Sequence, residues 1–106
     1  MPFFLCRLLP PRPTFPADMT GEEARLMQDH AAYWQRAADK GEAVIVGPVL
    51  DPAGVWGLAI VEVSDPAAAS ALTEFDPLIR SGRGFRYDIH PIPQAILRTT
   101  HQPSPL

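Results

Sequence analysis

The sequence predicts an α+β fold, a ferredoxin-like plait in the order β-α-β-β-α-β. Two helices would cover one face of a four-stranded antiparallel sheet. Three observations carry the prediction. A long amphipathic stretch opens at Thr20 with a capping box; two short β-branched runs flank a turn around Asp51; and the segment from Phe85 alternates apolar and polar residues at period two. A length of 106 residues suits one domain rather than two.

Phe3-Phe4-Leu5-Cys6-Arg7-Leu8-Leu9 reads as the first strand. It is far shorter than the ~20 apolar residues of a membrane span, and Arg7 interrupts it with no basic segment ahead. A reduced, cytoplasmic setting with no membrane partner is therefore expected. The single cysteine excludes an internal disulfide framework. Pro10-Pro11-Arg12-Pro13-Thr14-Phe15-Pro16 then reads as a stiff connection, because prolines withhold ladder donors and fix φ.

The first helix opens at Thr20, with Glu23 three residues on, and runs to about Lys40 with Gly41 as its stop. At ~100° per residue, Leu26, Met27, Ala31, Tyr33, Trp34, Ala37 and Ala38 fall in one half of the helical wheel. The charged residues and glutamines fall in the other half, with two exceptions. Glu23 is accounted for by the capping box. His30 lies toward the middle of the apolar side and is accounted for by nothing local.

Ala43-Val44-Ile45-Val46 reads as a short buried strand ended by Gly47-Pro48, and Asp51-Pro52 with Gly54 marks a turn. Trp56 through Val63 reads as the third strand. Asp65 and Pro66 fit the N-cap and first position of a second helix. Ala68, Ala71, Leu72 and Phe75 predict its packed face from their spacing. Asp76-Pro77 ends that helix, Ser81-Gly82-Arg83-Gly84 turns the chain, and Phe85 to Ile92 forms the last strand. Phe85, Tyr87 and Ile89 share one of its faces, and Arg86, Asp88 and His90 the other. That second face must be wet or covered, and a homodimer packing sheet on sheet would cover it. The polar, Pro-containing stretch 98–106 is expected to be a flexible tail, leaving a single domain over 1–97.

Composition narrows the function classes. Nine basic against twelve acidic residues give a net charge of −3, which argues against a nucleic-acid partner. No Cys/His metal pair, EF-hand, P-loop or dinucleotide fingerprint is present, so neither a metal nor a cofactor is expected. Thirteen prolines with seven glycines still fall short of the roughly 25–30% of low-complexity chains.

The candidate site residues each have two readings. His30 is either a buried histidine satisfied by a backbone carbonyl or a general acid/base on a pocket wall. Asp76 is either the N-cap of the turn at Pro77 or the carboxylate that orients His30 and stabilises its imidazolium. Both helices lie on one face of the plait, so the two residues can meet. Trp34, with Trp56 and Tyr87, either lines an aromatic-tolerant pocket or belongs to the core. Arg86, with Arg80 and Arg83, either holds an anionic substrate group or is solvated. Cys6 reads as an inert buried thiol, and His90 and His101 lack metal-ligand spacing.

Taken together, several segments resemble the YCII-related (YciI-like) proteins. They are Asp29-His30-Ala31-Ala32-Tyr33-Trp34, Gly41, Gly47 to Pro52, Trp56-Gly57-Leu58, Phe75-Asp76-Pro77 and Phe85 to Pro91. The resemblance covers about Phe3 to Ile96. It implies a subunit of the dimeric α+β barrel type, usually a homodimer, with a His–Asp active-site pair falling on His30 and Asp76. Relatives of that superfamily include a dechlorinating enzyme acting on a hydroxyquinol, muconolactone isomerases and small monooxygenases. The expected function is cofactor-free lyase- or isomerase-like proton transfer on a small cyclic or phenolic substrate, with Trp34 and Arg86 binding it. The alternatives are a non-catalytic ligand-binding or dimerisation module and, third, a cofactor-free monooxygenase.

Overall fold

A computed structural model describes residues 1–99 of the chain. Its elements are β1 (Phe3–Leu9), α1 (Gly21–Asp39), β2 (Ala43–Val49), β3 (Trp56–Glu62), α2 (Pro66–Glu74), α3 (Pro77–Arg80) and β4 (Arg86–Ile92). The strands form one antiparallel sheet in the order β2-β3-β1-β4, the ferredoxin-like arrangement. The expected order of elements holds, with α3 added as a single turn after Asp76.

Register fixes which side chains share a face. Cys6 stands opposite Ala59 on one side and Ile89 on the other, and Leu8 opposite Gly57 and Tyr87. This face is the covered one. Phe4, Cys6, Ala59 and Val61 pack with Trp34 and Ala37 of α1 and Ala69 of α2. A second cluster joins Leu8, Phe85, Leu78 of α3 and Phe15. Gly57 suits its place, because a Cβ there would lie 3.1 Å from that of Leu8. Among the described residues no helix is long and apolar enough to cross a membrane.

Local chemistry sets the helix ends. Thr20 caps α1, and Glu23 returns the bond in a full capping box. Gly41, at φ +82°, supplies the left-handed residue that turns the chain toward β2. Asp65 caps α2 by accepting from the Ala68 N–H, with Pro66 inside the first turn.

Three expectations need correcting. β2 does not stop at Gly47-Pro48 but runs on to Val49, and it is not buried: Ile45 is 59% exposed and Val44 is also exposed. It is an edge strand, where a proline costs no ladder bond, and a register shift between Ala43 and Ile45 turns its middle outward. The packed face of α2 is rotated from the expected one, since Ala69 and Thr73 point inward while Ala71 and Phe75 are exposed. Alanines on every side of this short helix leave its phase undetermined by spacing. The proline segment is more than a connection, because it sends Phe15 into the core edge-on against Phe85. Of the tail expected over 98–106, the part beyond Thr99, with His101, lies outside the described residues.

Candidate functional site

His30 and Asp76 meet. α1 presents His30 on the same side as Trp34, one turn further on, and the break between α2 and α3 places Asp76 against both. The two oxygens of Asp76 divide the readings that the sequence left open. Oδ1 accepts the Leu78 N–H at 2.9 Å and so caps α3. Oδ2 lies 2.7 Å from Nδ1 of His30 and also accepts the Trp34 indole N–H at 2.9 Å and the Tyr87 hydroxyl at 2.5 Å. The residue caps α3 and hydrogen-bonds the His30 ring at once.

Asp76 is 0% exposed. Burial pushes its carboxyl up, but His30, through hydrogen bond and charge, together with the Tyr87 and Trp34 donors, outweighs that push and holds it below the ordinary value. Tyr87 is shifted strongly upward, first by burial and then by the charge of Asp76, so it remains a protonated donor. An acceptor-only carboxylate requires the hydrogen on Nδ1 of His30. Whenever the ring is neutral, its lone pair is therefore on Nε2. No buried side-chain nitrogen or oxygen among the described residues lacks a partner. Nε2 has no protein partner among those residues, so it opens on accessible space.

That space is a cavity of about 560 Å³ between α1 and the β2–β3 side of the sheet. Met27, His30, Ala31 and Trp34 form its helix wall, and Val46, Gly57 and Ala59 belong to its sheet wall. Pro10, Phe15 and Pro16 also line it. A salt-bridged anchor ties this proline segment to α1. The Arg12 guanidinium donates to Glu23 at 2.7 Å through each terminal nitrogen, and to Asp18 through Nε at 2.9 Å. The same Arg12 bonds, with the Thr20 N–H, pull the Glu23 carboxyl down to about 2. Thus the second polar exception on the apolar side of α1 both caps the helix and ties the proline segment to it.

Of the remaining candidates, Trp34 lines the cavity and is 2% exposed. Tyr87 also lines it; Trp56 borders it, with its ring turned to the uncovered face beside Arg7 and its indole N–H donated to Asp51. Arg86 is placed elsewhere. It pairs in register with Leu9, on the uncovered face of the sheet, and is exposed. Period-two alternation puts it opposite to Tyr87, so it cannot share the wall that Tyr87 helps to form. Arg80 lies over the Phe75 ring, and Arg83 pairs with Glu22, so the three arginines do not converge. Cys6 is buried, which raises its thiol to about 11. Among the described residues no group of His, Cys, Asp and Glu is arranged to hold a metal ion.

Sequence reasoning found the pair and named Tyr87 as a pocket-wall candidate, but missed the bond from Tyr87 to Asp76 and missed Phe15 altogether. Tyr87 was legible as an inward residue of β4, while its reach to Asp76 depends on the register of β4 against β1. Phe15, between prolines, gave no periodic signal. Comparison with known families matches the YCII-related domain to residues 4–93. No curated protein matches the chain.

Proposed function

The chain belongs to the YCII-related domain family, and from that premise we propose that it is a cofactor-independent enzyme of lyase or isomerase type. His30 moves a proton on a small cyclic or phenolic substrate held in the cavity. The observation that supports this reading is the His30–Asp76 pair on an apolar wall with Nε2 left open. Nε2 takes a proton from the substrate, and Asp76 holds the ring in register and stabilises the imidazolium. Returning the proton at another atom is isomerisation; loss of a leaving group from the anion is elimination. Trp34 contributes twice, as cavity wall and as a donor that fixes Asp76.

The same reading includes a homodimer. Both helices cover one face of the sheet, and the other carries half-buried Leu5, Leu58 and Ile60 around the Arg7–Asp88 ion pair. A second copy brings matching apolar surface and charges of both signs. Sedimentation equilibrium checks this, with a monomer at all concentrations as the contrary result.

The test of function is turnover of a panel of phenols, enols and lactones by the wild type and by His30→Ala. Turnover that the substitution abolishes supports the enzyme. Ligand binding that persists in His30→Ala, with no turnover of any compound, supports a binding module instead.

A further inference from the structure

We propose that the cavity beside His30 admits substrates that enter uncharged and lose a proton inside it, and that it rejects carboxylates and phosphates. This rests on His30 being the base. The inference comes from the charges that surround the cavity. Among the described residues, none of the side chains lining it is Lys, Arg, Asp or Glu. Its polar wall groups are His30, Gln35 and the donors of Trp34 and Tyr87, and both of those donors are directed at Asp76.

The neighbouring cations are engaged elsewhere. Arg12 is bound to Glu23 and Asp18. Arg7 is paired with Asp88 at 2.7 Å, and Arg86 is exposed on the far face of the sheet. An anionic ligand would have to give up its hydration with no protein cation to replace it, which is strongly unfavourable in an apolar cavity.

Charge bookkeeping points the same way. With His30 neutral, the pair carries the single negative charge of Asp76. When a neutral substrate reacts, its O–H or C–H bond breaks and the electron pair stays on the substrate. A new N–H bond forms at Nε2, so the site holds a total charge of −1 before and after. A substrate already ionised would bring the total to −2. The imidazolium, compensated by Asp76, is then matched to the anion produced inside the cavity rather than to one arriving from water.

The test is an NMR titration of the intact chain near neutral pH, following the Trp34 indole N–H. Three probes of one shape are compared: 2-naphthol, 2-naphthoate and 2-naphthylmethylammonium. The expected result is binding of 2-naphthol at least about tenfold tighter than either ion. Equal or tighter binding of 2-naphthoate overturns the inference, as does equal or tighter binding of the ammonium, or no binding of 2-naphthol.

His30→Gln separates this inference from the catalytic reading. If the wild type prefers 2-naphthoate while its turnover still depends on His30, the charge selectivity fails and the base stands. If turnover is unaffected by His30→Gln, the catalytic reading fails, and the inference that rests on it is overturned as well. A preference for 2-naphthol together with turnover lost in His30→Gln supports both.

Discussion

On each side of the sheet, in the helical layer over one face and on β4 itself at the other, an aspartate stands with a histidine beside it, and the surroundings make these pairs chemically different. On the covered face, Asp76 is fully buried and receives only N–H and O–H groups besides His30. On the open face, Asp88 is bound by the Arg7 guanidinium at 2.7 Å, and His90 approaches it at 3.2 Å. Both carboxyls are held below their ordinary value. For Asp88 the leading cause is the Arg7 hydrogen bond, and for Asp76 it is a set of donors overcoming burial. Arg7 is permanently charged, so Asp88 is compensated whatever His90 does. Asp76 has only His30 to compensate it. The compensation of Asp76 therefore depends on whether His30 is protonated, and that of Asp88 does not depend on His90.

Removing each carboxylate gives the widest contrast. Asp76→Ala leaves the Leu78 N–H, the Trp34 indole and the Tyr87 hydroxyl without their acceptor, and is expected to cost about 3–5 kcal/mol in urea unfolding. Asp88→Ala, removing a half-exposed ion pair, should leave the midpoint nearly unchanged. Equal losses would erase the distinction between the faces.

The histidines should differ in the same direction. His30→Ala is expected to lower turnover on any productive substrate by roughly 10²–10⁴-fold, the usual range for a general base. His90→Ala should leave turnover within a small factor of wild type, measured on the same substrate. Smaller still is the effect of Tyr87→Phe, which deletes one donor to Asp76 and should cost about 1–2 kcal/mol in the same unfolding experiment.

The pH dependence sharpens the comparison further. Asp76 and Glu23 have folded-state values below their unfolded ones, so their contribution to stability is complete above ~pH 4.5 and is lost as pH falls through the folded values. For Glu23 that window closes at about 2. Arg12→Ala removes the leading cause of the Glu23 shift and should flatten this part of the acid-unfolding profile, followed by circular dichroism. An unchanged profile would mean that Arg12 does not anchor the proline segment to α1.

The part of the molecule visible in the sequence was the part governed by local periodicity. His30 was found because a histidine stood among apolar positions of a helix with clean sides, and Asp76 because Pro77 marked it as a cap. The plait, in which both helices pack on one face, permits their meeting, and the structure makes it. What stayed hidden depends on partners distant in sequence. The exposure of Ile45 follows from β2 being an edge strand. The phase of α2 is set by what it packs against, and the seat of Phe15 by a proline segment whose anchor, Glu23, had already been explained as a cap. Arg86 shows the converse. Strand alternation had already placed it away from Tyr87, and the structure keeps it there.

The central claim is that Asp76 fixes the hydrogen on Nδ1 of His30 and leaves Nε2 free as the base. It is tested most directly by the ¹⁵N shifts of the His30 ring, recorded at a pH where the ring is neutral. An imidazole free in water favours the hydrogen on Nε2, so the opposite tautomer is diagnostic. The account predicts protonated Nδ1 and a lone pair on Nε2 in the wild type, with that preference lost in Asp76→Asn. A hydrogen on Nε2 in the wild type, or a tautomer indifferent to Asp76→Asn, would contradict it.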